Sequence, residues 1–150
     1  MEQSAAVAVK DLYYDLVKNA LRQDGWRITH DPLRLRWPAG QVAPGRGDAG
    51  AGELLLAAEK DERKIAVVTR SFIGLTDLQD VAGSLAQLAM YRQAVHRLDP
   101  DRTLYLAVRQ ATYDAFIAAQ VHTFFPTSCS LLLLVFEPRT EAILRWLAGL

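Results

Sequence analysis

Apolar and polar positions along the chain switch between two periods, and the switches divide it into elements. Leu12, Leu16, Val17, Ala20 and Leu21 recur at helical spacing up to Asp24-Gly25, which predicts a helix over about 5–23. Leu33, Leu35 and Trp37 alternate with Arg34 and Arg36 as a half-buried strand, preceded by a shorter one at Trp26–Thr29. Leu54–Ala58 and Ile65–Val68 are short, nearly continuous apolar runs on either side of the polar stretch Lys60–Arg63, the pattern of a hairpin of two buried strands. Thr76 or Asp77 can cap a long helix that carries Leu78, Val81, Leu85 and Leu88 on one face and ends before Asp99-Pro100-Asp101. A strand at Thr103–Val108, a helix from Thr112 to about Gln120, a very apolar strand at Ser130–Phe136 and a short element at Ala142–Leu147 complete the order. Strands alternating with helices in this way predict an α/β sandwich, a central mixed sheet flanked by helices.

Composition narrows the class. The chain has 150 residues, 51% of them hydrophobic, which suits one domain over 1–150 with a core of its own. The longest strongly apolar run, Leu131–Phe136, is far short of the ~20 residues a membrane span needs, and the first residues lack the basic and apolar regions of a signal peptide. A cytoplasmic protein is the expectation. Cys129 is the single cysteine, so neither an internal disulfide nor a cysteine-based zinc site is available. Seventeen basic residues balance seventeen acidic ones, whereas a protein that coats DNA usually shows a basic excess. The one local bias is Arg22, Arg27, Arg34, Arg36 and Arg46 against Asp24 and Asp31, with Trp26 and Trp37 interleaved. That stretch is either a phosphate-and-base contact surface or a pair of Arg-decorated strands with inward tryptophans. Pro38–Gly52, dense in Gly, Pro and Ala, reads as an irregular loop.

Common sites are missing. The sequence has no Gly-rich phosphate loop, no G-x-S-x-G elbow and no His pair at zinc-site spacing; His30, His96 and His122 fall in different elements. His30 reads as a turn residue and Cys129 as a buried thiol. The hairpin remains. Glu59 ends its first strand, and Val68 and Arg70, two residues apart, share one face of the second. Nucleases of the PD-(D/E)XK type hold Mg²⁺ with an acid from one strand and acid-x-Lys from its neighbour. The expectation is that Glu59 and Arg70 lie across the hairpin, close enough to pair.

Asp24-Gly25-Trp26-Arg27-Ile28-Thr29-His30-Asp31-Pro32, then Ala57-Ala58-Glu59-Lys60, Arg63-Lys64-Ile65-Ala66-Val67, Ser71-Phe72-Ile73-Gly74, and Pro100-Asp101-Arg102 before Leu104–Val108 resemble the XisH family, the fdxN element excision controlling factors of cyanobacteria. The resemblance covers about residues 11–147. It implies a restriction-endonuclease-like (PD-(D/E)XK) fold with an αβββαβ core. It also implies an accessory role in site-specific excision of a DNA element beside a recombinase, with an XisI-type companion protein as partner. The family continues K-I-A-V with Glu-x-Lys, where this chain has Val68-Thr69-Arg70. Valine cannot ligate a cation, and the arginine pKa above ~12 prevents it from carrying protons at neutral pH. The family's upstream D-L-G-A-E is also altered: Asp48 and Glu53 can each be matched to it, but not both at the family spacing. Gln87 and Tyr91, four residues apart on one helix face, resemble the Q-x-x-x-Y pair that contacts nucleic acid in RecB-type nucleases.

Three functions follow as expectations. The first is an excision factor on a nuclease-like scaffold whose site is degenerate at Glu59, Val68 and Arg70, needs no cofactor, and meets DNA through Gln87, Tyr91, Arg27, Arg34 and Arg36. The second is an active Mg²⁺-dependent DNA endonuclease using Glu59 with Asp48 or Glu53 as metal ligands. The third is a protein–protein scaffold docking an XisI-type partner. A homo-oligomer is compatible with all three.

Overall fold

The computed structural model describes residues 13–35, 54–69, 88–114 and 132–147. Within them run helix α1 (Tyr14–Gln23), strands β1 (Arg27–His30), β2 (Leu55–Lys60) and β3 (Arg63–Thr69), helix α2 (Leu88–Leu98), and strands β4 (Arg102–Arg109), β5 (Leu133–Glu137) and β6 (Ala142–Leu147). One helical turn, Gln110–Thr112, follows β4.

The six strands form one sheet in chain order. β3, β4 and β5 are mutually parallel, and the other neighbours are antiparallel. Alternation along each strand splits the core into two layers. Leu55, Ala57, Ala66, Val68, Leu104 and Leu106 face α2, which contributes Leu88, Tyr91 and Val95. Leu56, Ala58, Ile65, Val67, Ala107 and Phe136 face α1, with Tyr14, Val17, Leu21 and Trp26. Both faces of the middle strands are covered, which is why they read as continuous apolar runs rather than alternating ones.

The hairpin turn is Asp61-Glu62, both at positive φ (51° and 68°), the two-residue geometry whose twist matches the strands it joins. Each edge strand carries a register shift. In β6, Val135 pairs with Arg145 and Phe136 with Ile143, so Leu144 stands out of the ladder, 47% exposed. Such bulges turn an edge away from pairing with another chain.

One expectation changes. Leu33–Leu35 is not a strand: Pro32 has no N–H to give, and the segment keeps one ladder-like bond, Leu33 N–H to Leu55 O at 2.8 Å. Leu33 still packs inward, so its burial followed from the alternation although its backbone state did not. The element at 142–147 is an edge strand. The helix ends expected at 5–12, 78–87 and 115–120, the loop at 38–52 and Trp37 lie outside the described residues.

Candidate functional site

Pairing in the β2–β3 hairpin places the expected site residues. Glu59 lies opposite Lys64, beside the turn, while Val68 lies opposite Leu55, at the other end. Val68 lies four positions beyond Lys64 along β3, about 13 Å of extended chain. Glu59 and Val68 share a face of the sheet but not a site, so the hairpin does not bring Glu59 to the Val68 end. A carboxylate one residue removed from a two-residue turn must pair with the residue one removed on the other side, and the far end of the returning strand is out of reach.

Glu59 has other partners. Arg27 Nη2 on β1 lies 3.4 Å from Glu59 Oε1, and Arg102 Nη2 on β4 lies 3.6 Å from Glu59 Oε2. The Arg102 side chain is only 4% exposed. Its Nη1 donates to the Ile65 carbonyl at 2.9 Å, and its Nε lies 3.6 Å from Asp99 Oδ2. Asp99 also pairs with Lys64. The Lys64 hydrogen bond is the main reason the Asp99 carboxyl titrates below its ordinary range. Glu59 thus belongs to a chain of ion pairs, Arg27–Glu59–Arg102–Asp99–Lys64, that ties β1, β2, β3 and β4 together at the turn end of the sheet.

The other end of β3 is apolar where it is described. Val68 is fully buried in the layer that also holds Leu55, Leu106 and Tyr91. Tyr91 is 1% exposed, so the nucleic-acid contact expected of it does not hold: its ring fills the core beneath α2 on the Val68 layer. Thr69 is buried with no hydrogen-bond partner for its hydroxyl among the described residues. Arg27 and Arg34 are exposed, Arg27 within reach of Glu59. Asp48, Glu53, Arg70, Gln87, Arg36, Arg22's companion Arg46, His122 and Cys129 bear on the expectations too; all of them lie outside the described residues. His30 is exposed beside Thr29, with 3.1 Å between Nδ1 and Oγ1. Among the described residues no three His, Cys, Asp or Glu side chains gather as a metal site would require.

The strings behind the resemblance have structural work at two further places. In Asp24-Gly25-Trp26, Gly25 adopts φ +95°, and a Cβ there would stand 3.3 Å from Lys60 Cε. Lys60 uses that space to donate to the Asp24 carbonyl at 2.5 Å, with Nζ 5.9 Å from the Trp26 ring centre. Trp26 Nε1 donates to Asp24 Oδ2 at 3.1 Å, and Trp26, Trp146 and Tyr105 form an aromatic row with centroids 5.5 and 5.1 Å apart. The cleft beside them, about 270 Å³, is lined by Asp24, Trp26, Lys60, Asp61, Arg63 and Trp146. In Thr29-His30-Asp31-Pro32, Asp31 accepts from the buried Tyr14 hydroxyl and, at 2.8 Å, from Lys18 Nζ. Burial first, then the Asp31 hydrogen bond, pushes the Tyr14 phenol well above its ordinary pKa. Sequence reasoning missed Arg102, Asp99 and Tyr14; the Asp99-Pro100-Asp101-Arg102 string was the available signal.

The family described as XisH protein matches residues 7–144. The chain belongs to the XisH family. A crystal structure of an XisH family protein from Nostoc punctiforme PCC 73102 is similar, with TM-score 0.70 and 31% identity over 91% of this chain and 99% of that one. A crystal structure of an fdxN element excision controlling factor protein from Anabaena variabilis is similar too, with TM-score 0.69 and 31% identity over 89% of this chain and 96% of that one. No curated protein matches the chain. The XisH match spans both layers of the sheet, and no described helix is long and apolar enough to cross a membrane.

Proposed function

We propose that this XisH-family chain is an accessory factor for site-specific excision of a DNA element, acting by binding DNA rather than by cutting it. The observation that carries the reading is the burial of Val68. It stands where the family resemblance expects a metal-binding Glu, and it is wholly enclosed with Leu55, Leu106 and Tyr91. Two-carboxylate chelation of Mg²⁺ needs an acid from that strand, and an aliphatic side chain in an apolar layer offers none. The restriction-endonuclease-like ancestry of the scaffold is part of the proposal. It is supported by a mixed sheet between α1 and α2 and by Tyr91 sharing the Val68 layer. The endonuclease alternative loses its central ligand, because Glu59 is engaged by Arg27 and Arg102 at the opposite end of β3. An XisI-type companion and a recombinase remain its expected partners.

Incubation with Mg²⁺ and with duplex or branched DNA tests the reading. No cleavage above background is expected, together with DNA binding that weakens steeply as salt rises. Mg²⁺-dependent cleavage by the parent chain, lost in a variant at Asp48 or Glu53, would overturn it in favour of the nuclease. Absence of any DNA affinity at low salt would leave the protein–protein scaffold as the function.

A further inference from the structure

We propose that the cleft beside Trp146 seats one nucleobase of an unpaired DNA strand; this rests on the DNA-binding reading above and names the form of DNA it takes. The cleft lies at the turn end of the sheet, where α1 gives way to β1, β2 turns into β3 and β6 nears its end. Asp24, Trp26, Lys60, Asp61, Arg63 and Trp146 line it, around about 270 Å³. That is room for a single ring system and not for a duplex.

Three rings build its aromatic side. Trp26 is buried and Trp146 half-buried, with the two planes 40° apart. The buried Tyr105 meets Trp146 edge-on, at 85°. Lys60 Nζ and Arg63 Cζ each lie 5.9 Å from the Trp26 ring centre. Trp26 is thereby committed to its neighbours, and the partly exposed Trp146 is the ring that can meet a ligand. Tyr105 and Trp26 already hold it, so little side-chain freedom is left to lose when a base stacks on it.

The polar side suits a neutral ring better than a bare anion. Two acids stand with two cations, and Asp24 is taken up by the Trp26 N–H and by Lys60. Asp61 and Arg63 flank Glu62 at the hairpin turn, both exposed. A carboxylate accepts from the amino and ring N–H groups of a base edge, and a guanidinium donates to a base carbonyl or to the flanking phosphate. A protein side-chain ring would match the aromatic side but would offer Asp61 and Arg63 no such edge. In duplex DNA the faces and pairing edges of a base are covered by its neighbours, so Trp146 reaches one only where the strands are apart.

Anisotropy of a short labelled single strand of mixed sequence, and of its matched duplex, tests the cleft, with tryptophan emission followed alongside. The single strand should bind more tightly than the duplex and quench the emission. Trp146→Ala should weaken the single strand about tenfold and leave the duplex unchanged. Trp146→Phe keeps a stacking ring, so it should restore most of the affinity while losing most of the quenching. Arg63→Gln and Asp61→Asn alter exposed positions, and asparagine tolerates the positive φ of residue 61, so both should melt near the parent. Each should weaken the single strand severalfold, which keeps the test open if Trp146→Ala fails to fold. Single-strand affinity unchanged in every folded variant overturns the cleft while leaving the DNA reading in place. Equal losses on single strand and duplex overturn it in favour of a phosphate contact that ignores the bases. No binding by the parent to either DNA overturns cleft and reading together, and makes a ring-bearing segment of a partner protein the occupant.

Discussion

Arg102 and Glu59 meet across three strands, Nη2 to Oε2 at 3.6 Å, with the guanidinium only 4% exposed and the carboxylate about a third exposed. This ties a strand-end acid to a buried cation that also bonds the Ile65 carbonyl and approaches Asp99. The burial is asymmetric, so the consequences of removing each partner differ. Arg102→Ala strands two acids and a carbonyl, and should cost about 2–3 kcal/mol, lowering the melting temperature by roughly 5–10 °C. Glu59→Gln keeps an acceptor at a partly wet position and should cost less than about 1 kcal/mol. A calorimetric scan of both variants checks the order; a larger loss for Glu59→Gln would mean that Glu59 has a role beyond this pairing.

Asp99 should shape the acid side of the stability curve. Its carboxyl is lowered mainly by the Lys64 hydrogen bond, with the Asp101 N–H and the charges of Lys64 and Arg102 adding to it. A carboxyl lowered in the folded state stabilises at pH above its unfolded value, near 4, and that contribution is lost as pH falls through the folded value. Urea unfolding between about pH 5 and 2 should therefore show a shallower loss of stability in Asp99→Asn than in the parent. Parallel curves would rule out this role.

Tyr14 predicts the opposite limb. Burial and Asp31 raise its phenol pKa, so the folded state holds the proton longer than the unfolded chain does. Stability is then full below about pH 10, the unfolded value, and declines as pH rises beyond it. Tyr14→Phe should lose about 1–2 kcal/mol at neutral pH with the Asp31 hydrogen bond, yet fall less between about pH 10 and 11. Circular dichroism of both proteins at alkaline pH measures the crossover.

Gly25 and Lys60 should be coupled. Gly25→Ala places a Cβ 3.3 Å from Lys60 Cε at φ +95°, at an expected cost of about 1–2 kcal/mol. Lys60→Ala removes the close neighbour but not the backbone strain. The double variant should thus be destabilised by less than the sum of the two single changes, as a double-mutant cycle of unfolding free energies reads directly. Strict additivity would show that the approach to Lys60 contributes nothing.

The sequence by itself determined the sandwich: apolar runs doubly buried on β2, β3 and β5, helical periods on α1 and α2, and a polar two-residue turn. These are local signals, because each depends only on which side chains a short segment must hide. Leu33–Leu35 escaped that logic: its side chains alternate as a strand's do, but Pro32 withholds the N–H that would extend the ladder. The sequence also marked the unusual chemistry of Val68, since the absence of a carboxylate is visible without coordinates. Only the tertiary structure decided who meets whom. Glu59 and Val68 look like neighbours in a hairpin until register sends one to the turn and the other to the far end. Tyr91 passes for a surface residue until the phase of α2 turns it inward. Arg102, more than forty positions from Glu59, reaches it because β4 lies parallel to β3 and starts at Lys64. Register, helix phase and strand order are set by packing of the whole chain, so the pairings they create cannot be read from any one segment.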